Sequence, residues 1–293
     1  MRRLAAGAVA AGILLGCGSG ARTAPPGQPA PTPASPAMPG AEPTRPEPGR
    51  EVTVRYPKSG AGMLRYAFAR RDSVAATMPS GEAQVQLLAC TAYLTISWIA
   101  ADSGTKITGT VDSLVADSGQ VLPFAVIDSA RGTRWTALRP PGGGLTGLTA
   151  TRTSLLGDQI RDQLMLLFPH LPAEGARAGS HWEDSTDAPS RVSAFEASQS
   201  FHFASDAAAA EAGGVLPMQV VVSRSATGEA TQFGQPITLK ATGSDTLAYR
   251  LGSDGRVLEA GGRRWTSLVV ELSSIGQTVP VTEVSSIRMT LLR

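Results

Sequence analysis

Several small sets of residues have types and spacings that invite a chemical reading. Ser103 and Lys106 stand three apart, the spacing of an acylating serine and its lysine, and Lys58, Ser59 and Gly60 resemble the Lys-Thr-Gly strand that accompanies such pairs. That chemistry needs the serine at a helix start, the Lys-Ser-Gly later in the chain and an asparagine motif between them. Here Ser103 falls in a turn, the Lys-Ser-Gly comes first, and the chain contains no asparagine. Gly142, Gly144 and Gly147 match the spacing of a dinucleotide-binding loop. Pro140 and Pro141 interrupt the strand that should lead into it, and no acidic residue ends a strand about 20 positions on, so the glycines read as a connection.

The three histidines, His170, His181 and His202, include no pair at metal-ligand spacing, and each reads as structural or solvent-facing. Cys90 sits on the apolar parity of its segment, where a thiol behaves as a small hydrophobe with a raised pKa. Asp245 and Asp254 lie near glycines, but the several oxygen ligands of a calcium site are not clustered, so turn chemistry accounts for them. No acid, base and nucleophile stand together in a credible context. The expectation is a non-enzyme with no metal and no cofactor.

Cys17 is different. It follows a basic start at Arg2 and Arg3 and an apolar stretch from Leu4 to Leu15, the layout of a secretory signal over residues 1–16. That stretch is shorter than the roughly 20 residues a membrane-spanning helix needs. Leu14, Leu15, Gly16 and Cys17 resemble the lipobox of bacterial lipoproteins. The resemblance implies cleavage before Cys17, acylation of its thiol and anchorage to a membrane by two or three chains. Gly18, where an inner-membrane retention signal would have Asp, implies an outer-membrane location facing the periplasm.

Residues 17–50 carry the lipid-bearing cysteine and then a Pro-, Ala-, Gly-, Thr- and Ser-rich segment with no aromatic residue, too poor in apolar surface to repay ordering. In extended polyproline form, at about 3.1 Å per residue, it is a tether of up to roughly 100 Å. Loss of Arg2 and Arg3 takes the formal charge from +2 to zero, which disfavours a nucleic-acid partner. Cleavage and acylation leave Cys90 as the one free thiol, so no intrachain disulfide is expected. Residues 51–293, with no second linker, form one β-rich domain.

In that domain Leu88, Cys90, Ala92, Leu94, Ile96 and Trp98 share one alternating face, and Leu64, Tyr66, Phe68, Val74, Ala76 and Met78 share another. Pro79, Ser80 and Gly81 join the two runs, which predicts an antiparallel hairpin. A third strand follows around Ile107, Val111 and Val115. Further strands are expected at 121–127, 133–138, 190–204, 217–224, 245–251, 264–272 and 282–292, the last closing or edging the sheet. The fold class is therefore mainly β (α+β): a long, curved antiparallel sheet or half-barrel with one amphipathic helix packed on it. That helix is read at 154–168, from the stripe Leu156, Ile160, Leu164 and Leu167, closed by Phe168 and Pro169. The Ala run at 207–210 suggests a short helical turn. An echo between Val126–Gly132 and Arg250–Val257 suggests two related β meanders around the helix, although ordinary hairpins produce similar strings.

The motifs Phe168-Pro169-His170-Leu171-Pro172 and Gly179-Ser180-His181-Trp182, with the preceding meander and the later Gly255-Arg256-Val257-Leu258, resemble a group of uncharacterised bacterial envelope lipoproteins. More loosely, a curved sheet with a helix across its concave side is similar to the half-barrel of periplasmic lipoprotein carriers and receptors. That likeness implies a lipid or other hydrophobic ligand and supplies no catalytic residues. Two functions are thus expected from the sequence. One is a membrane-anchored lipoprotein binding a hydrophobic chain in a groove lined by Leu88, Leu94, Trp98, Leu156, Ile160 and Leu164. The alternative is a structural or protein-interaction lipoprotein of the envelope with a packed core.

Overall fold

The computed structural model describes residues 52–56, 60–78, 80–117, 124–141, 144–151, 154, 156–157, 160–161, 168–192, 195–232, 235–272 and 276–292. The expected signal segment, Cys17, the expected tether and most of the expected 154–168 helix, Leu164 included, lie outside them. Of that helix, Leu156, Gly157, Ile160 and Arg161 are helical. The backbone N–H of Gly157 donates to Ser154 Oγ at 3.1 Å, a hydrogen bond typical of a helix N-cap.

The chain is dominated by long strands: β1 (Thr53–Val54), β2 (Ala61–Thr77), β3 (Ala83–Ala101), β4 (Gly104–Ala116), β5 (Arg134–Arg139), β6 (Thr146–Ala150), β7 (Ala176–Arg177), β8 (His181–Val192), β9 (Phe195–Ala207), β10 (Leu216–Gln232), β11 (Gln235–Leu251), β12 (Val257–Leu272) and β13 (Gln277–Leu291). Eleven of them form one open antiparallel sheet in the order β6-β5-β4-β3-β2-β13-β12-β11-β10-β9-β8, and β1 pairs with β7. Two meanders, β2–β6 and β8–β13, are therefore joined through the β2–β13 pair. The strand expected to close or edge the sheet is instead central, because Ile287 and Met289 find Arg70 and Phe68 across the β2–β13 ladder.

The β2–β3 hairpin forms as its alternation requires. Tyr66 pairs with Leu94, Phe68 with Ala92 and Arg70 with Cys90, so the apolar parities of both strands face one side. Residues from opposite ends of the strand order, such as Trp135 on β5 and Phe203 on β9, belong to one core cluster, which a flat sheet could not achieve. The sheet is curved, with that core on its concave side.

Four local expectations change. Residues 121–127 were expected as strand, but α1 spans Phe124–Ala130: the run is too short and too uniformly apolar for periodicity to separate strand from helix. The segment 190–204 holds the end of β8 and most of β9 rather than a single strand. The two echoing segments fold differently, one as α1 and its following turn, the other as the β11–β12 turn. After Ala207 the chain runs irregularly to a short 3-10 turn at Ala212–Gly214.

Candidate functional site

The concave face meets the segment that crosses from β6 to β8. Leu94, Leu156 and Ile160 are buried in the main core, while Leu88 and Trp98 are partly buried and pack against it. Five of the six expected groove residues thus come together, and the sixth, Leu164, lies outside the described residues. Where the crossing segment meets the sheet, Ile96, Ile107, Trp135, Leu145, Leu148 and Phe168 help to line a cavity of about 10 Å³, the space of a single water. Its lining is apolar, and it is far too small for an acyl chain.

The end of the crossing segment is pinned from both arms of the sheet. The Tyr56 hydroxyl donates to the Pro169 carbonyl at 2.7 Å, and the Trp182 indole N–H donates to the His170 carbonyl at 2.9 Å. The His170 ring stacks on Phe203 at 4.4 Å between centroids and contacts Asp184 through Nδ1 at 2.5 Å. Gly144 is required beneath it, because a Cβ there would stand 2.1 Å from His170 Nε2. From the other arm, the Arg139 guanidinium lies 4.2 Å over the Tyr56 ring and 6.0 Å from that of Phe168. Burial raises the Tyr56 pKa, with Arg139 opposing, and lowers that of Arg139.

Sequence reasoning missed a belt of charge across the same concave face. Arg70 and Asp72 occupy the apolar parity of β2 and are buried, as are Ser285 on β13, Thr266 on β12 and Asp245 on β11. Asp245 is fully buried and lies 3.4 Å from both Arg224 Nε and Arg264 Nε, while Arg70 is paired with Asp72 and stands 3.9 Å from Glu283. Gly243 makes room: a Cβ there would meet Trp265 O at 2.6 Å and Arg224 Nε at 3.0 Å. Desolvation raises the Asp72 pKa against the opposing pull of Arg70 and Ser285. Arg224 is lowered by burial first and then by Arg264, with Asp245 opposing. The belt separates the main core from a second cluster built on Ile237, Leu239, Val270, Leu272, Val279 and Val281. The one available signal was the interruption of the β2 alternation at Arg70 and Asp72.

The remaining sequence candidates are scattered. Ser103 lies in the exposed β3–β4 turn, and Lys106 points outward from β4. Asp254 accepts a hydrogen bond from the Arg256 backbone N–H at 3.1 Å, as turn chemistry requires. Cys90 is buried, and desolvation pushes its pKa up to about 11. Across the convex face, large apolar side chains stand in solvent. Leu87, Ser73, Val284 and Trp265 are successive cross-strand neighbours on β3, β2, β13 and β12, and Leu87, Val284 and Trp265 are 63%, 46% and 45% exposed.

No protein-family model matches the chain, and no curated protein sequence matches it.

Proposed function

We propose that this protein is an exported, lipid-tethered domain of a bacterial envelope that works by binding a protein partner through its convex sheet face, without catalysis. The supporting observation is the exposed row from Leu87 through Val284 to Trp265, extended by Val85, which is 53% exposed. Large apolar side chains gathered on one exposed face mark interaction surfaces more often than they mark neglect. Concave-face packing agrees with this, since Leu94, Leu156 and Ile160 are engaged in the core. The tether over 17–50 would set the reach, with acyl chains on Cys17 as the membrane anchor. Photo-crosslinking residues placed at Trp265 and at Leu87 in growing cells should give one common adduct, absent when the same residue is placed at Asp254 in the β11–β12 turn. Failure at both positions would remove the docking face. Labelled palmitate should enter the wild-type chain and not Cys17→Ser; label in both would remove the anchor.

A second reading keeps the hydrophobic ligand. Its support is the apolar lining of the cavity beside Phe168, which an acyl chain could enlarge by displacing the crossing segment. Native mass spectrometry of the mature chain purified from a periplasm would then show a lipid adduct that Ile160→Glu removes. A clean apo mass would leave the docking reading alone.

A further inference from the structure

The chain enters the large sheet through a short segment that is not part of it. Residues 52–56 run between two loops: Thr53 and Val54 pair with Arg177 and Ala176 as β1 and β7, and on the other side the backbone of Arg55 and Tyr56 passes the β11–β12 turn. Both loops are shaped to admit it. Gly175 and Gly255 have φ of +94° and +77°, and a Cβ would stand 2.8 Å from Val54 O at the first and 2.5 Å from Arg55 O at the second. Val54 and Ala176 are fully buried, Tyr56 is buried, and all three belong to the main core. Arg55 Nε donates to the Glu174 carbonyl, the Tyr56 hydroxyl donates to the Pro169 carbonyl at 2.7 Å, and the Ala178 N–H reaches Val52 O at 3.4 Å. These bonds all end on residues 168–178, the last stretch of the crossing segment before β8.

We propose that residues 52–56 are a releasable strap: they hold residues 168–178 over the concave core, and their withdrawal frees that stretch while the eleven-stranded sheet stays intact. The two sets of contacts are very unequal. β1 has two residues and one neighbour, whereas β2 has 17 residues and is paired along both edges. Local opening costs only the contacts it breaks, so the strap can leave at a cost well short of unfolding the sheet. Trp182 and Phe203 hold the same stretch from the β8 and β9 side, and those two residues sit on strands of the sheet itself. The strap is therefore the side that can leave, and withdrawal uncovers the places that Val54 and Tyr56 fill in the main core. A pull along the chain before Val52 reaches the strap ahead of β2. That source of load rests on the membrane-anchored reading, whereas the strap does not, and its test needs no membrane.

Hydrogen exchange followed by mass spectrometry, on the chain carrying Cys17→Ser, reads the strap directly. Val54→Asp should speed amide exchange across 168–178 at least about tenfold and leave β11, β12 and β13 as protected as before. Tyr56→Phe keeps the ring and removes the donor, and should give a smaller rise centred on 168–172. Thr53 and Arg177 are direct antiparallel partners, whose Cα atoms stand about 4.5–5.5 Å apart, within reach of a disulfide. Thr53→Cys combined with Arg177→Cys should slow exchange in 168–178 when oxidised and restore the wild-type rate when reduced. Loss of protection in β11, β12 and β13 together with 168–178 in Val54→Asp would make 52–56 an ordinary part of the core and overturn the strap. An unchanged 168–178 in that variant overturns it too, as does an oxidised pair whose exchange there matches its reduced form.

Discussion

The indole nitrogen of Trp182, on the edge strand β8, donates a 2.9 Å hydrogen bond to the carbonyl of His170, in the segment that crosses the concave face. One side chain thereby ties a sheet edge to the chain that closes over the core. Trp182→Phe keeps the ring packing and removes the donor, leaving that carbonyl without its partner. A loss of about 1 kcal/mol is expected, with faster amide exchange concentrated in 168–172 and 181–187. Unchanged exchange there would mean that Tyr56 and the His170–Phe203 stack hold the segment unaided.

Asp245 carries a heavier load. It is fully buried between Arg224 and Arg264, so Asp245→Ala should strand two guanidiniums in a poorly solvated belt and cost about 3–5 kcal/mol in urea unfolding. Replacing all three together by Met, Leu and Met should recover most of that loss, because the charges are then absent as a set. A triple variant as unstable as the single one would show that the belt is needed for more than mutual neutralisation.

Cys90 should be chemically silent in the native protein. With its pKa near 11 and its side chain buried, a Cys17→Ser chain at pH 8 should react slowly with an aromatic disulfide reagent and at the free-thiol rate in urea. Prompt native reaction would place a breach in the β2–β3 region.

His181 gives the chain a pH signature. Its pKa is raised chiefly by the hydrogen bond to Asp206, so the charged ring is favoured in the folded state. The sign follows from linkage. A raised base contributes stability that is complete below its unfolded value of about 6.5 and fades as pH rises through the folded pKa. The ring is exposed, so its resonance shift, followed by NMR, is the better readout. Asp206→Asn should lower that midpoint.

Much of this architecture was legible wherever alternation ran long enough. The β2–β3 hairpin followed from Leu64 to Met78 set against Leu88 to Trp98, and the turn at Pro79 to Gly81 fixed which ends met. Legibility failed where period two carries no information. Nothing in Ile287, Met289 and Leu291 says whether their neighbour is the preceding strand alone or β2 as well, since pairing between distant strands leaves no local trace. The charged belt was hidden by the habit of assigning Arg and Asp to the solvent side.

The central place of β13 has a temporal consequence. The strand that unites the two meanders comes last in chain order among the described strands, so β2 has no second neighbour until β13 has been made. Up to that moment the chain is two half-sheets, each with an extra raw edge, and neither can complete the concave core. Folding of the whole domain is therefore deferred until β13 is available, and a chain still lacking it presents open strand edges on both half-sheets.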